Sequence, residues 1–299
     1  MKTHNARPYS GMPKDVLENM KVEQFLAEIS AGNAQALHSL YSLLSPLLYG
    51  LSLRITRDPV LAEDALQEGF LRIWRSSTLF DPRKGSGMGW VITIIRNRAR
   101  TAARRSARQH VEVGSPSYLE ALPSEDLSGL DRVVMGEAVL RVHTCLGKLP
   151  DQTRDAIQLA FFDGLTHQEL SQKLSVPLGT IKSWIRRGLA QMKTCVSGSE
   201  NISLLDLLAG EHVLGALPFQ VENAFERRRE RDAVYCMAAD WWQDQFAYVA
   251  MAIKPVTPPR RIWQSIDEAV SVARNREAIS WEWWLLPAAI AGVLLFQMF

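Results

Sequence analysis

The sequence predicts an all-α, multi-domain protein, and three observations carry the prediction. Almost every apolar segment repeats at helical spacing rather than in strand alternation. Capping residues stand where those repeats begin. The 299 residues exceed one ordinary core, so the helices should divide into two or three units, each with a core of its own. Two aperiodic stretches rich in Gly, Ser, Pro and acids mark the boundaries. The expected division is an N-terminal tail at 1–20, a first helical block at 21–108, a linker at 109–137, a second block at 138–198, a third at 199–278 and an apolar run at 279–299.

In the first block, Asn33 can cap a helix on which Leu37, Leu40, Tyr41, Leu44, Leu48, Leu51 and Ile55 share a face. Pro46 falls inside it and is expected to kink it. Asp58-Pro59 is a start signal for the next helix, which carries the stripe Leu66, Phe70, Ile73 and Trp74. The loop "FDPRKGSGMGW" then leads to a helix expected to start near Trp90. On it Trp90, Ile94 and Ile95 favour one side, and Thr93, Asn97, Arg100 and Arg104 another. The net charge is only +2, yet from Arg83 to Arg108 there are eight basic side chains and no acid. Such a local positive field suits a phosphate backbone.

In the second block, Thr166 and Glu169 have capping-box spacing, Val176-Pro177 makes a turn, and a second short helix opens at Leu178 or Gly179. That helix is apolar at Ile181, Ile185 and Leu189 and presents Thr180, Lys182, Ser183, Arg186 and Arg187 on its other side. This is a helix-turn-helix pattern, suited to reading base edges in a major groove. An ordinary helical hairpin with a solvated basic face has the same pattern.

Taken together, "AEDALQEGFLRIW", "FDPRKGSGMGWVITIIRNRARTAARR" and "LPDQTRDAIQLAFFDGLTHQELSQKLSVPLGTIKSWIRRGLAQMK" resemble regions 2 and 4 of an extracytoplasmic-function (ECF) sigma factor, over about residues 21–196. The resemblance implies that the chain binds core RNA polymerase and directs it to promoter DNA. It also implies roles for single residues. Asp64, Gln67 and Glu68 would dock on the polymerase, as carboxylates and amides can on a basic partner; the alternative is a solvated helix face. Trp90, Arg96, Asn97, Arg100 and Arg104 would capture the melted upstream element, where stacking and guanidinium groups suit single-stranded DNA; Trp90 could equally be a core aromatic. Thr101 and Trp184 depart from the residues common in the family, so promoter sequence does not carry over.

The third block, from "LAGEHVLGALP" to "PPRRIW", resembles the cytoplasmic domain of a zinc-independent, membrane-bound anti-sigma factor. The resemblance implies an inhibitor fused to its own target and acting in cis, with tethering raising the effective concentration to about the millimolar range; the alternative is a fused half that has drifted and inhibits nothing. Trp241, Phe246, Trp263 and Ile266 are the expected contact residues, unless they form the block's own core. The zinc-binding branch of such domains uses a His followed by paired cysteines. Here His212 and Cys236 lack such partners, so no metal and no cofactor is expected.

The run at 279–299 is expected to tether a cytoplasmic protein to the inner face of the membrane. The seventeen residues from Trp283 to Phe299, apolar apart from Gln297, cover about 26 Å, slightly short of a hydrocarbon core. A helix packed on the third block is the other reading. Cys145, Cys195 and Cys236 have neither metal-ligand nor redox spacing, so no disulfide is expected. The six histidines form no metal spacing and there is no phosphate loop or nucleophile elbow, so an enzyme is not indicated. A membrane-tethered helix-turn-helix activator that does without polymerase is the remaining alternative, and it leaves "FDPRKGSGMGWVITIIRNRAR" unexplained.

Overall fold

A computed structural model describes residues 14–109 and 136–274, and every regular element among them is helical. The first block contains α1 (Lys14–Ser30), α2 (Ala34–Thr56), α3 (Pro59–Ser76) and α4 (Gly87–Gln109). Asn33 accepts hydrogen bonds from the N–H groups of Gln35 and Ala36, and Asp58 from those of Val60 and Leu61, so both helices start on side-chain caps. The α2 helix continues through Pro46 without a break, and the Pro46 carbonyl accepts the Val256 N–H at 2.9 Å. The α4 helix begins before Trp90, where the Ser86 hydroxyl accepts the Gly89 N–H at 3.0 Å.

The second block contains α5 (Glu137–Gly147), α6 (Asp151–Phe162), α7 (His167–Leu174) and α8 (Leu178–Ser197). Thr166 and Glu169 make both bonds of a capping box, and Ser175, with φ of 54°, turns the chain between α7 and α8. The third block contains α9 (Leu204–Leu214), α10 (Phe219–Arg229), α11 (Ala233–Ala250) and α12, which covers 260–274. A second capping box, Ser203 with Asp206, starts α9.

The structure departs from the sequence reading in how the blocks are joined. Instead of separate cores, the buried apolar side chains form one continuous cluster running from Val22 to Val270. The reason is α11, which packs against α4 of the first block, α5 of the second, and α9 and α10 of its own. A second correction concerns the cysteines: Cys145 on α5 and Cys195 on α8 form a disulfide, with Cα atoms 5.8 Å apart. Spacing along the chain missed it because the two helices lie side by side. The expected anchor at 279–299 and most of the linker at 109–137 lie outside the described residues. Among the described residues no helix is long and apolar enough to cross a membrane.

Candidate nucleic-acid interface

The basic helix α4 turns its apolar back, Val91, Ile92, Ile95 and Ala99, into the core. Its arginines do not all face solvent. Arg96 is only 3% exposed. Its guanidinium donates to the carbonyls of Phe161, Val213 and Leu214, each at 2.8 Å, and to that of Ala160 at 3.4 Å. It also lies 4.4 Å from the Phe161 ring centroid. Ala160 and Phe161 are in the last turn of α6, and Val213 and Leu214 in the last turn of α9. Carbonyls there lack helical partners and carry the negative end of the helix dipole. One side chain of the first block thus satisfies a helix end in each of the other two. Burial, and after it the charges of Arg100 and Arg104, push the Arg96 pKa well down while Glu222 opposes the shift. A guanidinium stays protonated in a protein nonetheless.

Two neighbours extend the arrangement. Arg100 donates to the carbonyls of Gly215 at 3.1 Å and Gly164 at 3.4 Å, and Arg104 to that of Gly164 at 3.0 Å. Burial, then Arg104, bring Arg100 down to about 10, still charged at neutral pH. Gly164 and Gly215 have φ of 66° and 68°, and a Cβ on either would run into the Arg100 side chain. Both glycines are therefore required twice, for the left-handed turn and for the close approach.

The remaining DNA-facing candidates of α4 line a cleft of about 550 Å³ between the first and third blocks. Trp90, half-buried and 5.6 Å from the Phe80 ring, forms one wall with Thr93, Asn97 and Arg98, and Asp240 and Asp244 of α11 face them. Asp244 accepts the Ser86 N–H at 3.0 Å and the Ser86 hydroxyl at 2.6 Å. A carboxylate therefore stands at the positive end of α4, where a helix would otherwise attract a phosphate. Burial raises the Asp244 pKa, the Ser86 hydrogen bonds hold it back, and Asp240 and Glu23 add to the rise.

On α8, Ile181, Ile185 and Leu189 are buried, as the periodicity requires. Arg186 donates to Glu211 of α9 at 2.8 Å, and Glu211 is 0% exposed. His167 Nε2 is 3.8 Å from the same carboxylate oxygen. Burial, then Lys182 and Arg186, lower the His167 pKa to about 4, so the imidazole is neutral at neutral pH and this contact is not an ion pair. Lys193 pairs with Asp206 and lies 4.9 Å from the Trp241 ring centroid. Thr180 and Lys182 are half-buried, while Ser183 and Arg187 stay exposed.

On α3, Asp64 and Glu68 are exposed and Gln67 is half-buried. Glu68 is 3.7 Å from Arg98, and the adjacent Glu63 holds Arg261 of α12 through two hydrogen bonds of 2.7 and 2.6 Å. Trp263 lies against His38 at 4.5 Å and Tyr41 at 5.1 Å, both on α2, and Ile266 is fully buried. Phe246 stacks on Phe161 of α6 at 5.1 Å. Sequence reasoning missed Trp242, which is completely buried, stacks on Phe246 and donates to the Asp206 carbonyl at 2.8 Å. It also missed Glu211, although an acid in the apolar run "LLAGEHVL" is a residue in need of a partner.

Comparison with known proteins matches residues 40–109 to the family described as Sigma-70 region 2 and residues 140–192 to that described as Sigma-70, region 4. Neither match reaches the third block. The chain is 33% identical over 180 residues to "ECF RNA polymerase sigma factor SigK" of Mycobacterium sp. (strain KMS), covering 60% of this chain and 92% of that protein. The protein of the same description from Mycobacterium tuberculosis (strain ATCC 25177 / H37Ra) is 32% identical over 181 residues, covering 60% and 95%. A solved structure described as CnrH in complex with the cytosolic domain of CnrY aligns with 60% of this chain at 20% identity, with a TM-score of 0.29.

Proposed function

The chain belongs to the ECF RNA polymerase sigma factors, and from that premise we propose that its third block, at 199–274, is an anti-sigma domain that holds the factor closed in cis. As a sigma factor it works with core RNA polymerase on promoter DNA. In the proposed closed state, several of the groups that would meet those two partners are occupied by the chain itself, while Asp64, Ser183 and Arg187 stay exposed. The Arg96 guanidinium carries the reading: a side chain proposed to capture the melted promoter element is spent on the ends of α6 and α9. Support comes from Glu211 on Arg186 of the recognition helix, Asp244 at the start of α4 and Arg261 on Glu63 beside the polymerase-docking candidates. We further propose that the apolar run at 279–299 anchors the protein on the cytoplasmic side of the membrane; its apolar composition and its tryptophans support that role.

The test is promoter-dependent transcription in vitro with purified core polymerase, comparing residues 1–198 with the full chain. The fragment should be the more active. Equal activity at equal polymerase occupancy would refute inhibition by the third block while leaving the sigma assignment intact.

A further inference from the structure

His212 has no cysteine near it in the chain, but the fold gives it two carboxylates. It lies in the last turn of α9, and the turn through Gly215 and Pro218 folds α10 back beside it. Glu222 and Glu226, one helical turn apart on α10, both reach the imidazole. Glu222 Oε1 is 3.1 Å from Nδ1, and Glu226 Oε1 is 3.5 Å from Nε2. Phe225, between them in the chain, stacks on the ring at 4.5 Å with an interplanar angle of 25°, which fixes the plane of the imidazole.

The hydrogen bonding of this group is incomplete. His212 is 8% exposed, and its Nδ1 makes no hydrogen bond; neither does the buried Glu222 Oε2. Buried polar atoms without partners are uncommon enough in folded proteins to call for an explanation, a bound ion among them. Two carboxylates at i and i+4 also repel one another unless a cation lies between them. One ring nitrogen and one oxygen from each glutamate lie within 4.8 Å of one another.

We propose that His212, Glu222 and Glu226 form a binding site for a divalent transition-metal ion, of the class that accepts mixed imidazole and carboxylate ligands, with zinc as the type case. In a tetrahedral zinc site with bonds of about 2.0–2.1 Å, ligand atoms stand roughly 3.3 Å apart, so binding requires the two carboxylates, now within 4.8 Å, to draw in around one ring nitrogen. Three protein ligands leave the fourth position to water. The imidazole selects against magnesium and calcium, which take oxygen ligands. Glu222 already offsets part of the charge of Arg96 and Arg100, so a cation here is held by direct ligation and not by net negative charge. Arg229 donates to Glu226 Oε2 at 3.0 Å and orients that carboxylate from behind, as outer-shell partners of metal ligands do. All three ligands are on α9 and α10, so the site does not depend on the third block acting as an inhibitor.

The experiment uses the full chain carrying Cys236→Ser, which removes the free thiol as a competing ligand, after dialysis against a chelator. Cobalt(II) is then titrated and followed by visible absorption. The expected result is saturable binding of about one ion per chain, weakened at least about tenfold by His212→Gln and, separately, by Glu222→Gln, with the far-ultraviolet circular dichroism of the apo forms unchanged. Zinc should raise the melting temperature of the parent and not that of His212→Gln. If His212→Gln does not fold, the half-exposed Glu226→Gln takes its place. Absence of saturable binding would mean that the imidazole merely sits between two carboxylates, and undiminished binding in both variants would place the ion elsewhere on the surface. Either result overturns the site.

Discussion

Arg186 and Glu211 meet through one hydrogen bond of 2.8 Å, with the acid buried and the guanidinium half-exposed. Glu211→Ala gives up that bond but also frees the chain from burying a carboxylate, so the closed state should weaken by only about 1 kcal/mol, roughly fivefold in the open-to-closed ratio. Transcription by the full chain should rise by that factor, while residues 1–198, which lack Glu211, set the upper limit in the same assay. His167 gives the same contact a pH dependence. Its pKa falls from the ordinary 6.5 to about 4 in the fold. A depressed imidazole costs nothing above pH 6.5; below it the unfolded chain takes up a proton that the folded chain refuses, and the loss grows down to about pH 4. The full effect is on the order of 3 kcal/mol. Glu211 acts in the opposite direction, since burial, opposed by Arg186, raises its pKa and proton uptake then favours the fold as pH falls. Denaturant midpoints of Glu211→Gln between pH 7 and 4.5 should therefore fall more steeply than those of the parent, and the added variant His167→Phe should remove the slope.

At the scale of helices, the starts were the most legible part of the sequence. Asn33, Asp58 and the Thr166–Glu169 pair cap where a local reading puts them, because a cap is an interaction within a few residues. The targets of long side chains were not legible. Trp90, Thr93 and Asn97 line the cleft while Arg96, Arg100 and Arg104 reach for helix ends, and nothing local distinguishes an arginine that faces a phosphate from one that faces a carbonyl. The disulfide was illegible for the same reason. It joins α5 to α8 across 50 residues, and closing a loop of that length restricts the unfolded chain by about 4 kcal/mol in the chain-entropy account. Reductant should lower the denaturant midpoint of the parent by up to that order, while Cys195→Ser starts lower and no longer responds.

At the scale of the molecule, the division into sigma regions followed from motifs, but the sharing of one core did not. Periodicity shows that a face is apolar without showing what covers it; Phe161 and Phe246 stack from different blocks, 85 residues apart along the chain (246 − 161). The third block is therefore an integral part of the packed structure. Heating the full chain should give one cooperative transition with no separate melting of residues 199–274, as followed by calorimetry. The fragment 1–198 should bind an apolar dye more strongly than the full chain, because the surface under Trp242 and Phe246 is left open.

Arg96 has a genetic consequence. In the proposed scheme a single guanidinium serves both as a latch inside the resting protein and as a hand for the opened strand, so replacing it would loosen the latch and disable the hand together. A screen for unregulated transcription should therefore never recover changes at that codon. Hits should instead cluster where the carbonyls are offered, around 211–215, and the allele spectrum would map the clasp from its acceptor side.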